Sequence, residues 1–163
     1  MLEWQQRPIE IANLLNPAFC SIILRESIVG FTKEKQEGMP YSLAFLILPL
    51  VLHKSTRIEI PKTSATKLHV WLQEKPQVRI QFAERVSRLV PYTRESLLFG
   101  VRNTIIAINE DGNLVGIGKK IGDKLWPPES EPIMCKTKAM FLGNWLAKSG
   151  EASTIFAMWG IKP

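Results

Sequence analysis

The twelve residues from Tyr41 to Leu52, YSLAFLILPLVL, constrain this chain more than any other stretch. They place apolar side chains nearly all round a helix, and such a helix is buried on most faces. The run is well short of the ~18–20 residues needed to cross a bilayer, and Pro49 interrupts it. It therefore reads as a core helix, over about Tyr41 to His53, around which other elements must close.

The flanking sequence supplies those elements. Leu2 to Leu15 is an apolar-rich lead containing Trp4, Arg7 and Pro8. Asn16-Pro17 predicts a helix start, because Asn caps free amides and Pro suits the first helical position. That helix should end near Lys33, before Gly38 and Pro40. Thr56 to Ile60 (TRIEI) alternates and is rich in β-branched residues, which predicts a short strand stopping at Pro61. Thr63-Ser64 should open a helix over ATKLHVWLQE. Pro76 should open another, with Val78, Phe82, Val86 and Leu89 as its apolar stripe. Pro91 is expected to end it, and Thr93 to cap a short helix reaching Asn103.

Next comes a hairpin, with TIIAI and NLVGIG flanking Asn109-Glu110-Asp111-Gly112. A loop rich in Gly, Pro and charge follows, then a helix over about Ile133 to Lys148 and the apolar segment TIFAMWGIKP. The expected fold is a mostly helical α+β single domain, residues 1–163. Its parts are a helical lead (1–40), a winged-helix-like core (41–118), a loop (119–132), and a C-terminal helix with apolar tail (133–163).

No catalytic constellation stands out. His53 and His69 have no Cys or carboxylate at ligand spacing, so no metal or cofactor is expected. Asp111 and Asp123 lie in turn and loop sequence, away from a second acid suited to proton transfer. Gly116-Ile117-Gly118-Lys119-Lys120 ends a strand and lacks the spacing of a phosphate loop. Cys20 and Cys135 read as buried small hydrophobes. Without an export signal or a cysteine framework, the expected compartment is the cytoplasm.

The formal charge of +6 is compatible with nucleic acid or an acidic partner. Basic residues around the predicted wing are Arg94, Arg102, Lys119, Lys120 and Lys124, and the first four are the candidates for phosphate contact, with a solvated rim as the alternative. Of five tryptophans, Trp71 and Trp145 fall on helical stripes and read as core. Trp4 and Trp159 lie near the termini and, with Arg7, are candidates for a partner interface, with docking on the domain itself as the alternative.

The segments RPIEIANLLNPAF, GMPYSLAFLILPLVLHKSTR, RLVPYTRESLLFG and TIFAMWGIKP together resemble one family, the middle component of bacterial three-component ABC-ATPase systems. That group includes the small subunit of Lamassu-type defence operons. The resemblance implies a non-catalytic adaptor between an SMC/Rad50-like ABC ATPase, thought to sense foreign nucleic acid, and a separate effector, often a nuclease. DNA would then be met through the complex. The matching positions Arg7, Pro8, Asn16, Pro17, Pro49, Pro91, Thr93, Arg94, Glu95 and Trp159 suit structural roles as readily as functional ones. A winged-helix DNA-binding regulator is the alternative reading.

Overall fold

The computed structural model describes residues 6–162, so Trp4 and Pro163 lie outside the described residues. The elements are α1 (Ile9–Leu14), α2 (Pro17–Lys35), α3 (Ala44–Val51), α4 (Lys54–Glu59), α5 (Leu68–Glu74), α6 (Phe82–Arg102), β1 (Ile106–Ile108), β2 (Leu114–Gly116), α7 (Glu131–Ala147) and α8 (Ala152–Trp159). Short 3-10 turns cover Tyr41–Leu43, Pro76–Arg79 and Asp123–Leu125. The chain is a mostly helical α+β domain, as its sequence predicts.

The centre of the bundle is α2. Asn16 starts it by accepting hydrogen bonds from Ala18 N (2.9 Å) and Phe19 N (3.4 Å), and Pro17 occupies the first turn. It packs on α7, α6, α3 and β2. The expected lead thus supplies the element on which the rest is assembled. By length and composition alone the stretch Ile9–Lys35 is long and apolar enough to cross a membrane, but most of its apolar window is buried inside the bundle. The α2–α7 contact is made at the backbone. A Cβ on Gly143 would lie 1.8 Å from the Ser27 carbonyl oxygen, and one on Gly30 would lie 2.1 Å from that of Met140. Only glycine lets the two helices come this close.

Three sequence expectations are corrected. The segment expected as a strand over Thr56 to Ile60 lies in α4, apart from Ile60, which caps it. A strand would bury residues 56, 58 and 60 together. Instead Thr56, Arg57 and Ile60 are buried while Ile58 is 69% exposed. Arg57 requires this, since it donates to Val51 O (2.6 Å) and pairs with Glu131 of α7. The helix expected from Thr63-Ser64 begins only at Leu68. The helix expected to open at Pro76 starts at Phe82, after a separate 3-10 turn over Pro76–Arg79, and runs on through Pro91 to include the short helix expected after it, as the single helix α6. Its proline forfeits one amide bond, but Pro91 and Ser87, whose carbonyl that bond would have used, are both exposed and open to water.

The hairpin forms in the expected place. Ile106 pairs with Gly116, Ala107 with Val115 and Ile108 with Leu114. Gly112 takes φ +78° in the turn, and Asn113 N donates to Asn109 Oδ1 (2.8 Å). Leu114 also exchanges two backbone bonds of 2.8 Å with Met39, so the segment before α3 lies along the outer side of β2. The hairpin packs on α2 and the end of α6. With helix at 54–59, the element order departs from that of a winged helix where the first strand would stand.

The hairpin exit is tied to the core by charge. Arg25 of α2 is 4% exposed and donates to the carbonyl oxygens of Ile117 (3.2 Å), Gly118 (3.4 Å) and Lys119 (3.2 Å). Glu26, also buried, accepts from Arg25 Nη1 at 2.9 Å. Removing either partner would strand a charge in the interior at a cost of about 3–5 kcal/mol.

Candidate interaction surface

Among the described residues no group of three His, Cys, Asp or Glu side chains is placed to hold a metal ion. His53 Nδ1 lies 2.7 Å from Thr56 Oγ1, and burial, followed by the nearby Arg85 guanidinium, lowers its pKa. Burial pushes the Cys20 thiol up to about 12 and raises that of Cys135 as well. Both thiols are therefore fully protonated at neutral pH, which makes them poor nucleophiles.

One apolar groove that opens outward lies on α6 and its neighbours. Val86, Val90 and Arg94 are spaced four apart and share one side of the helix. They line a groove of about 310 Å³ with Tyr41, Ser42, Phe45, Phe156, Ile161 and Lys162. Tyr41 and Phe45 form one wall, edge to face with ring centroids 5.2 Å apart. The end of α8 also contributes to the lining. Gly160 there takes φ +69°, Gly160 N bonds Ala157 O (3.0 Å), and Ile161 N bonds back to Phe156 O (3.1 Å). This left-handed turn folds Ile161 against Phe156.

Trp159, the last residue of α8, packs inward. It is 5% exposed and stacks on Phe82 at 4.0 Å between ring centroids, with Trp71 edge-on at 6.0 Å. Its ring belongs to the hydrophobic core cluster of the domain. Arg7 is likewise buried, in a two-pronged pair with Glu95 (2.8 and 2.9 Å) and over the Tyr92 ring. It fastens the start of the chain to α6.

The four basic candidates are all exposed, and none makes an ion pair or side-chain hydrogen bond among the described residues. Three of them share one end of the molecule. Ile117 N bonds Ile105 O (3.0 Å), and Gly118 lies against the Thr104 carbonyl, so Lys119 and Lys120 leave the hairpin beside the end of α6 that carries Arg102. Arg94 stands eight residues earlier on α6, about 12 Å along the axis, at the groove. Leu98 and Val101 lie between and are exposed.

Sequence reasoning missed the groove. Phe45 belongs to the apolar run read as buried on most faces, and Ile161 to a tail read as one apolar segment. Only the turn at Gly160 brings the two together.

No curated protein and no solved structure matches the chain. Residues 4–163 match the family described as ABC-three component (ABC-3C) system Middle Component 3. With nearly its whole length matched, the chain belongs to that family and is a component of an ABC-ATPase system.

Proposed function

We propose that the protein is a non-catalytic connector in the cytoplasm, joining an SMC/Rad50-like ABC ATPase of its system to an effector that acts against invading phage or plasmid DNA. The match over residues 4–163 carries this reading, since a middle component works alongside other components. An exposed apolar groove on the same domain supports it, because such surfaces mark sites of protein contact.

The test is co-expression with the system's ABC ATPase, followed by size exclusion with and without ATP. The two proteins are expected to elute together at micromolar concentration. Separate elution under both conditions removes the connector reading.

A further inference from the structure

We infer that the groove beside α6 is the docking site for an acidic, amphipathic segment of a partner protein in the same system. This rests on the connector reading and names the surface it would use.

The chemistry of the groove selects the occupant. Val86, Val90, Phe156, Tyr41, Phe45 and Ile161 supply most of its surface, with Val86 and Phe156 the most deeply buried, so the lining is almost entirely carbon. Tyr41 remains 44% exposed, an aromatic side chain half in water beside a hydrophobic cleft. The charged lining residues are Arg94 and Lys162. Both are cations, both are without an ion-pair partner among the described residues, and no carboxylate shares the lining. An occupant that buries the apolar lining must bring negative charge to this rim or leave two cations uncompensated.

The surface continues beyond the groove. Leu98 and Val101 stand four and seven positions after Arg94, the spacing of one helix face. Both are exposed, and Arg102 follows. From Val86 to Val101 the strip runs about 22 Å along α6, the length of a helix of roughly fifteen residues. An amphipathic helix with apolar residues every third or fourth position and Asp or Glu beside them matches this strip in length, polarity and charge. Nucleic acid matches it less well. Phosphates would meet the cations, but an apolar lining gives a sugar-phosphate backbone no hydrogen bonds.

The experiment uses the full chain, assembled with the other proteins of its system. A photocrosslinking phenylalanine analogue replaces Tyr41, and mass spectrometry identifies what it captures. The expected capture is one segment of another component, with helical apolar spacing and an excess of Asp and Glu. In parallel, Arg94→Glu with Lys162→Glu should weaken assembly at least about tenfold while leaving the unfolding midpoint unchanged. Both residues are exposed and unpaired, so a fall in affinity here is not a folding defect. If the complex forms, three results overturn the groove proposal and leave the connector reading standing: capture of a second copy of this chain, capture of DNA, or assembly indifferent to the double reversal. If the unsubstituted chain assembles with neither ATPase nor effector, both readings fall together.

Discussion

Replacing Gly143 with alanine tests the central packing contact of the fold. Local propensity alone predicts a gain, since alanine is favoured over glycine inside a helix by about 1 kcal/mol. The crossing with α2 predicts a loss. The added methyl would sit 1.8 Å from Ser27 O and 2.9 Å from Phe31 N, about 1.6 Å short of the 3.4 Å at which ordinary contact with that oxygen begins. Overpacking usually costs about 1–3 kcal/mol when side chains can turn aside. Here the obstacles are backbone atoms of a buried helix, which cannot rotate away, so about 3 kcal/mol or more is expected. The net effect is a destabilisation of roughly 2 kcal/mol or more, or a fall in Tm of about 4–8 °C for a domain of this size. Urea unfolding followed by tryptophan fluorescence should show a lower midpoint with an unchanged slope. Gly30→Ala should behave alike, and the double variant should lose less than the sum, because one separation of the helices relieves both clashes. Gly122→Ala, with nothing within 4 Å of its new methyl, is the neutral control. A midpoint that rises in Gly143→Ala would show that the two backbones do not meet here and would refute the reasoning.

Three further outcomes are expected. Trp159→Ala should cost about 3–5 kcal/mol in urea unfolding, since it removes the ring between Phe82 and Trp71; a loss below about 1 kcal/mol would return Trp159 to the surface. Cys20 should resist thiol reagents at pH 8 until the chain unfolds. Because its folded pKa of about 12 exceeds the unfolded value of 9.0, its contribution to stability should be intact below about pH 9 and decline as pH rises toward 12; labelling of the native protein at the rate of a free thiol would contradict this. Replacing Arg94, Arg102, Lys119 and Lys120 together with alanine should leave stability within about 0.5 kcal/mol and leave the affinity of the assembled complex for DNA, and its salt dependence, unchanged. A salt slope that falls by about one unit for each residue replaced would assign those cations to phosphates instead.

What could be read from the sequence were the local rules that tertiary structure leaves intact. Asn16-Pro17 starts α2 because a cap is satisfied within its own turn. The hairpin forms because its turn and its alternation agree. The misreadings fall where a distant group overrides a local preference. TRIEI looks like a strand, but in the helix Arg57 reaches Val51 O and Glu131, contacts that the local alternation does not reveal. Pro91 looks like a terminator because sequence does not show that Ser87, whose carbonyl it leaves unpaired, is exposed to water. The surface was the least legible part. Arg94 and Arg102 were picked out for their charge, but what distinguishes Arg94 is the apolar groove beside it, assembled from three segments far apart in the chain. Arg7 and Trp159 show the converse: residues conspicuous for interface chemistry that the fold uses internally.

The guanidinium of Arg25 also makes the hairpin exit a lever with its fulcrum in the core. Three successive carbonyls hang from one planar group, which is itself held by a carboxylate on the neighbouring residue of α2. A pull on Lys119 or Lys120 would not be absorbed by a slack loop. It would load Arg25, then Glu26 and the helix that crosses α7 backbone to backbone. A lysine at position 25, with a compact ammonium in place of the fork, would turn that rigid coupling into a loose one without altering the net charge.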